Sequence, residues 1–217
     1  SFFFFFRRYD PSISTSSTLT TSTSSKTSSK TSSETSSETI RKFCGNAFVA
    51  TNVLDVQLCR DIISNVESHI QEIGGWTTSR HYAVPTTDVP VHQIQNVLIS
   101  YNQLMKNQIA PMLSQQYSVA AASIRTIDAF VVKYDASKQR SLPLHCDQSQ
   151  FSLTIALNSL SEYDGGGTYF AEYGQVLNCD VGGVISFQGS LFHGGHPITS
   201  GTRYILVAFL YSHIEAE

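Results

Sequence analysis

Between Leu54 and Gly75 apolar side chains return at three- and four-residue steps. In LDVQLCRDIISNVESHIQEIGG the positions Leu58, Cys59, Ile62, Ile63, Val66, Ile70 and Ile73 fall on one face of a helix, which sets an apolar stripe against a core. Asp55 is placed to accept from the free N–H groups of its first turn, and Gly74 to end it. A second amphipathic pattern from about Gln93 to Gln115 carries Ile94, Val97, Leu98, Tyr101, Leu104, Met105 and Ile109 on one side. Pro111 should kink or end that helix. Past Ser123 the period changes to two. IRTIDAFVVKY, QFSLTIALN, GTYFAEY, GGVISFQ and RYILVAFLY are short β-forming runs separated by Gly, Asn, Asp and Pro, the pattern of an antiparallel sandwich or closed barrel. Helices followed by an all-β core predict an α+β chain in which N-terminal helices pack outside a jelly roll.

Upstream of Phe43 the pattern stops. From Pro11 to Thr39 the composition collapses onto Ser and Thr, with the quasi-repeat TSSKTSSKTSSETSSET, and such a segment has almost nothing to bury. Residues 1–42 are therefore expected to be a disordered tail, a stem or a plain linker, and residues 43–215 the folded domain. The opening SFFFFFRRYDPS fits the end of a truncated membrane anchor or signal region, or an artefact of cloning or gene assembly. Its apolar run falls far short of the ~20 residues a spanning helix needs. An anchor would favour the lumen of the endoplasmic reticulum or Golgi, and its absence the cytoplasm. Membrane contact is expected only through that segment.

Composition narrows the function classes. A formal charge of −3 over 217 residues, with no basic stripe, argues against nucleic acid as a partner. The four cysteines, Cys44, Cys59, Cys146 and Cys179, lie far apart with no C-x-x-C pair, so neither a disulfide scaffold nor a structural zinc knuckle is expected.

The chemistry concentrates late in the chain. In LHCDQ, His145 and Asp147 stand two apart just before the run Ser152 to Asn158, and residues two apart in extended chain point to the same side. Both can then reach one ion. For a third ligand the candidates are His193, His196 and His213. His193 closes VISFQGSLFH directly after a strand, His196 sits in a turn before Pro197, and His213 follows the last strand, which favours His193. Two imidazoles and one carboxylate on one face of an octahedron leave three positions open, as in non-haem Fe(II) oxygenases; a four-ligand zinc hydrolase is the competing reading. Arg203 bears on the choice. If its guanidinium turns into the barrel, leaving it unpaired would cost roughly several kcal/mol, so it requires an anion. A dicarboxylate whose 2-oxo acid end chelates iron could pair its far carboxylate with Arg203 in a two-bond fork.

Four segments in order, FVVKY from Phe130, LPLHCDQSQFSLTIALN from Leu142, YDGGGTYF from Tyr163 and HGGHPITSGTRYILVAF from His193, resemble the 2-oxoglutarate- and Fe(II)-dependent dioxygenase superfamily. Within it they look like the catalytic domain of procollagen lysyl hydroxylases, with prolyl 4-hydroxylases more distant. YAVPTTDVPVHQI, from Tyr82, is similar to a segment upstream of that core, and the match covers about residues 76 to 211. The resemblance implies a double-stranded β-helix, cupin-like, in which His145, Asp147 and His193 bind Fe(II) and Arg203 holds the distal carboxylate of 2-oxoglutarate. It implies that Tyr134 helps hold the same co-substrate and that Thr154 occupies a polar co-substrate position, with no catalytic residue beyond the metal centre. The implied cofactors are Fe(II), 2-oxoglutarate, dioxygen and ascorbate. Prolyl 4-hydroxylases carry lysine where this chain has Arg203, which favours the lysyl branch for ancestry without settling substrate. The implied activity is hydroxylation of a lysyl or prolyl residue in a peptide or protein; the alternatives are a small molecule or free amino acid as substrate, or a non-catalytic peptide-binding relative.

Gly165-Gly166-Gly167 lies between strands, so it is expected to be a tight turn and not a phosphate loop. The Cys146 side chain is expected to point away from the metal into packing. Trp76 and the cluster Arg80-His81-Tyr82 either line the substrate mouth or pack as ordinary loop residues.

Overall fold

A computed structural model describes residues 39–213 apart from Gly45 and Tyr82. The expected tail lies outside the described residues except for Thr39 to Lys42. Those residues belong to the first strand, β1 (Thr39–Cys44), so the sheet starts upstream of Phe43. The backbone ladder to β2 (Ala47–Thr51) carries β1, and TIRKFC has no strong apolar alternation by which to announce it.

Helix α1 (Val56–Glu72) follows its pattern. Asp55 accepts from Gln57 N and Leu58 N, Gly74 adopts a positive φ of 89°, and Cys59, Ile62, Val66 and Ile70 are buried. Ile73 departs from expectation: it caps the helix and is exposed. The short strand β3 (Asp88–Pro90) precedes the second helical stretch, which is not one helix. It divides into α2 (Gln95–Leu104), a π-helical turn (Met105–Ile109) and α3 (Ala110–Tyr117). Pro111 stands in the first turn of α3, where a missing N–H is tolerated, and the wide turn upstream absorbs the break without ending the stretch.

The β core comprises β4 (Ile124–Asp135), β5 (Leu142–His145), β6 (Phe151–Ala156), β7 (Tyr163–Gly165), β8 (Thr168–Phe170), β9 (Gln175–Leu177), β10 (Val184–Gln188), β11 (His193–Gly195) and β12 (Ile198–Ser212). The larger sheet has the order β1-β2-β10-β6-β12-β4-β3, with β7 also on β12; the smaller has the order β5-β11-β8-β9. Every pairing is antiparallel. This is the double-stranded β-helix with helices outside it.

The larger sheet is covered on both faces, which explains why β6 is buried at every position. Leu153 and Ile155, with Ala129, Val131, Leu206, Ala208 and Leu210 of the neighbouring strands, pack against α1, α2 and α3. The alternate residues Phe130, Val132, Tyr134 and Ile205 face the barrel interior in a separate cluster. A polar clamp also ties α1 to the sheet. Glu67 accepts from Lys133 Nζ at 2.8 Å, from the Tyr204 hydroxyl and from Trp76 Nε1. Among the described residues no helix is long and apolar enough to cross a membrane.

Candidate metal centre

His145 closes β5 and His193 opens β11, and the β5–β11 ladder pairs them directly. Each ring is oriented in the same way. Nδ1 of His145 lies 2.8 Å from Pro143 O, and Nδ1 of His193 lies 2.8 Å from Leu191 O. A carbonyl oxygen only accepts, so both Nδ1 atoms carry the proton and both Nε2 atoms keep a free lone pair. Asp147 leaves β5 with its N–H donating to Gly189 O at 2.8 Å. Its carboxylate faces both rings, Oδ1 3.3 Å from His145 Nε2 and Oδ2 3.4 Å from His193 Nε2. Ser152, on β6, donates its hydroxyl to Asp147 Oδ2 and sets the carboxylate plane.

One ligand atom from each of the three residues lies within 4.8 Å of the others. Lone pairs and a carboxylate converging in this way repel unless a cation sits among them, and the set of two nitrogens and one oxygen suits Fe(II). Backbone partners on both Nδ1 atoms and the Ser152 hydroxyl on Asp147 are the outer contacts that orient such ligands. Burial pushes His193 down to about 4. Burial also acts to lower His145, but the Asp147 carboxylate and Pro143 O outweigh it and hold His145 above its ordinary value. Asp147 is raised by burial and lowered more by His145, His193 and Ser152, leaving it below the usual aspartate range and ionised.

The triad opens into a cavity of about 490 Å³. One wall is a ladder of cross-strand pairs, because alternate residues of β4 and β12 share the interior face: Tyr134 with Arg203, Val132 with Ile205, Phe130 with Val207 and Asp128 with Phe209. Arg203 is 2 % exposed and pairs with no carboxylate among the described residues; its Nε is buried without an acceptor. Its guanidinium stands 5.6 Å from the Tyr134 ring centre. Thr154, buried on β6 opposite Val207, also lines the cavity. A buried cation with no carboxylate partner among the described residues, beside the Tyr134 hydroxyl and in the same cavity as that of Thr154, fits an anionic co-substrate. Gly166 makes room for it. With φ at 71°, a Cβ there would lie 3.1 Å from Arg203 Cδ and 3.0 Å from the Tyr163 ring.

The structure thus gathers His145, Asp147, His193, Arg203, Tyr134 and Thr154 around one cavity, whereas His196 and His213 are not among its lining residues. His196 N donates to Gly167 O, across the turn that Gly165-Gly166-Gly167 makes between β7 and β8. Cys146 corrects an expectation. The residue is exposed instead of packed: it is among those lining the cavity, and its Sγ donates to Ser190 O. Arg80 and His81 line the mouth, Trp76 packs on Tyr204 outside the barrel, and Tyr82 lies outside the described residues. Sequence reasoning missed Ser152, whose signal was a second hydroxyl, two residues before Thr154, in a buried and mostly apolar strand. It also missed the Arg80–Asp88–Asp128 cluster, which joins segments far apart in the chain.

No protein-family model matches the chain. Among curated proteins it is 32% identical over 167 residues to the human multifunctional procollagen lysine hydroxylase and glycosyltransferase LH3, covering 73% of this chain and 22% of that protein. It is 37% identical over 135 residues to bovine procollagen-lysine,2-oxoglutarate 5-dioxygenase 1, covering 58% of this chain and 18% of that one. The chain thus spans about a fifth of the length of the curated relatives it matches. Among solved structures it is similar to the viral collagen prolyl hydroxylase of Paramecium bursaria Chlorella virus-1, with TM-score 0.55 and 15% identity over 78% of this chain and 97% of that one. AviO1 from Streptomyces viridochromogenes Tue57 matches with TM-score 0.60 and 15% identity, over 79% and 91% of the two chains. The non-haem α-ketoglutarate-dependent carbocyclase SnoK of nogalamycin biosynthesis matches with TM-score 0.59 and 12% identity, over 76% and 79%. At these identities the structural likenesses establish the fold.

Proposed function

Because the chain belongs to the superfamily of 2-oxoglutarate- and Fe(II)-dependent dioxygenases, with procollagen lysyl hydroxylases among its sequence relatives, we propose that it hydroxylates a lysyl or prolyl residue in a peptide or protein. The observation that carries the proposal is the convergence of the His145, Asp147 and His193 ligand atoms in the cavity that holds the unpartnered Arg203.

In this reading His145, Asp147 and His193 hold Fe(II), and Arg203 receives the distal carboxylate of 2-oxoglutarate, assisted by Tyr134 and Thr154. Bound Fe(II), 2-oxoglutarate and dioxygen supply the oxidising power to hydroxylate an unactivated C–H bond, 2-oxoglutarate leaving as succinate and carbon dioxide; ascorbate would serve as reductant. The chain's own work is positioning. The Nδ1 contacts to Pro143 O and Leu191 O fix which ring nitrogen faces the metal. Ser152 fixes the carboxylate, and the apolar rungs Val132–Ile205 and Phe130–Val207 exclude water from the space between Arg203 and the metal ligands. Location in the lumen of the secretory pathway belongs to the same proposal, its support being procollagen-modifying relatives.

A screen of lysyl and prolyl peptides and free amino acids by mass spectrometry, with succinate measured in the same samples, tests this reading. A gain of one oxygen on a peptide, matched by succinate, is expected. Modification of free amino acids alone would overturn the peptide substrate, and succinate formation without iron would overturn the metal assignment.

A further inference from the structure

The β4–β12 wall carries opposite charges at its two ends. Arg203 stands beside Tyr134 on one rung and Phe209 beside Asp128 on another. Six residues of extended chain separate the rungs, roughly 20 Å at ~3.3 Å per residue. The Arg203 end is accounted for by the co-substrate. The Asp128 end is not, and the sheet carries it toward the metal centre. On its other side Phe209 pairs with Ser152, the residue whose hydroxyl holds Asp147. Asp128 and Ser152 are therefore two strand spacings apart, roughly 10 Å.

This end has a surplus of negative charge. Arg80 donates from Nε to Asp88 Oδ1 at 2.6 Å and from Nη1 to Asp128 Oδ2 at 2.7 Å, so one guanidinium serves two carboxylates. The Asp88 side chain is wholly buried, and Thr86 donates to its other oxygen. His81, 3.4 Å from Asp88, adds no fixed charge: burial lowers it below its ordinary 6.5. Asp128 is a quarter exposed, and its Oδ1 makes no hydrogen bond among the described residues. Val84, Ile127 and Phe209 line the cavity near it and offer apolar contact to a methylene chain, and Phe209 adds a ring face to a cation. Two carboxylates on one guanidinium, with apolar neighbours, leave a net negative charge that favours a cationic guest over a neutral one.

We propose that Asp128 is the specificity-determining carboxylate of the substrate end, taking the ammonium of a cationic side chain so that lysyl chains are accepted over neutral aliphatic or prolyl ones. The inference rests on the reading of this cavity as the oxygenase site. Arg80 acts through Asp128: bridged to buried Asp88, it holds the carboxylate at the wall.

Two peptides that differ only in lysine against its uncharged analogue norleucine test it. Each is titrated into the chain loaded with Mn(II) and 2-oxoglutarate, and binding is read by fluorescence anisotropy. Wild type should bind the lysyl peptide at least about tenfold more tightly, the scale of a charge-assisted hydrogen bond, and added salt should shrink the ratio. Asp128→Asn should bring the two affinities within about twofold by weakening the lysyl peptide alone, and Asp128→Glu should restore much of the difference. Equal wild-type affinities at low salt would overturn the proposal without recourse to any variant. So would an Asp128→Asn change that weakens both peptides alike, which would make Asp128 only a brace for Arg80. If the iron-loaded chain consumes no 2-oxoglutarate with either peptide, the oxygenase reading fails, and the binding ratio still decides the role of Asp128.

Discussion

His193 stands directly across the β5–β11 ladder from His145, their ring centroids 4.5 Å apart. The ladder therefore sets the spacing of two ligands that lie far apart in sequence. His193→Ala should abolish Fe(II) or Mn(II) binding in anaerobic titration, while His196→Ala should retain it. Ser152→Ala should keep the ligands and misorient one, weakening metal affinity roughly 10- to 100-fold. Binding retained in His193→Ala and lost in His196→Ala would mean that His196 is the distal ligand.

Arg203 and Gly166 form a second linked pair, since the glycine leaves the space the arginine stem occupies. Arg203→Ala should raise the KM for 2-oxoglutarate by about 30-fold or more with metal affinity little changed, the scale for truncating one partner of a buried charge pair. Gly166→Ala should give a smaller rise of the same kind, because a Cβ at that backbone angle crowds Arg203 and strains the turn. An unchanged 2-oxoglutarate requirement in Arg203→Ala would remove the arginine from the site.

The Glu67 clamp gives a pH dependence of stability. Burial acts to raise Glu67, but Lys133, Tyr204 and Trp76 outweigh it, and the folded value lies below the usual 4.5. A depressed carboxylate stabilises the fold above its unfolded value, and the contribution fades as pH falls through the folded one. Wild type should therefore exceed Glu67→Gln in urea midpoint at pH 7, the gap narrowing as pH falls below the ordinary 4.5. A gap that does not narrow at all with acidification would assign the effect to packing.

At the N-terminus of the same helix, Asp55→Ala removes the acceptor for Gln57 N and Leu58 N. It should cost about 1 kcal/mol in thermal or urea unfolding and leave metal affinity unchanged.

The parts of the site that were legible in the sequence are those fixed by local spacing. His145 and Asp147 could be paired because extended chain puts them on one side, and His193 could be preferred to His196 because it directly follows a strand run. Whether Arg203 faces the barrel or solvent stayed open in the sequence; its pairing with Tyr134 and its burial set it inward. What escaped depended on pairing between distant segments. β3 and β5 are short and contain proline, so their place in the sheets comes from partners and not from propensity. Nothing in the sequence singled out Asp128; the register sets it beside Phe209 and the loop brings Arg80 to it. The divided second helix was half legible: Pro111 announced a break, but only the packing of Tyr101, Leu104, Ile109 and Leu113 into one core decides that the chain runs on through it.

The central claim is that Asp147 and its two histidines make an iron centre that turns over 2-oxoglutarate. Succinate release, measured with Fe(II) and 2-oxoglutarate in the presence of a lysyl peptide, tests it most directly. The account predicts release that requires added iron, is stopped by a chelator, and is absent in Asp147→Ala protein that melts at the wild-type temperature. Release at the same rate from Asp147→Ala, or none from wild type with any peptide or amino acid offered, would contradict it.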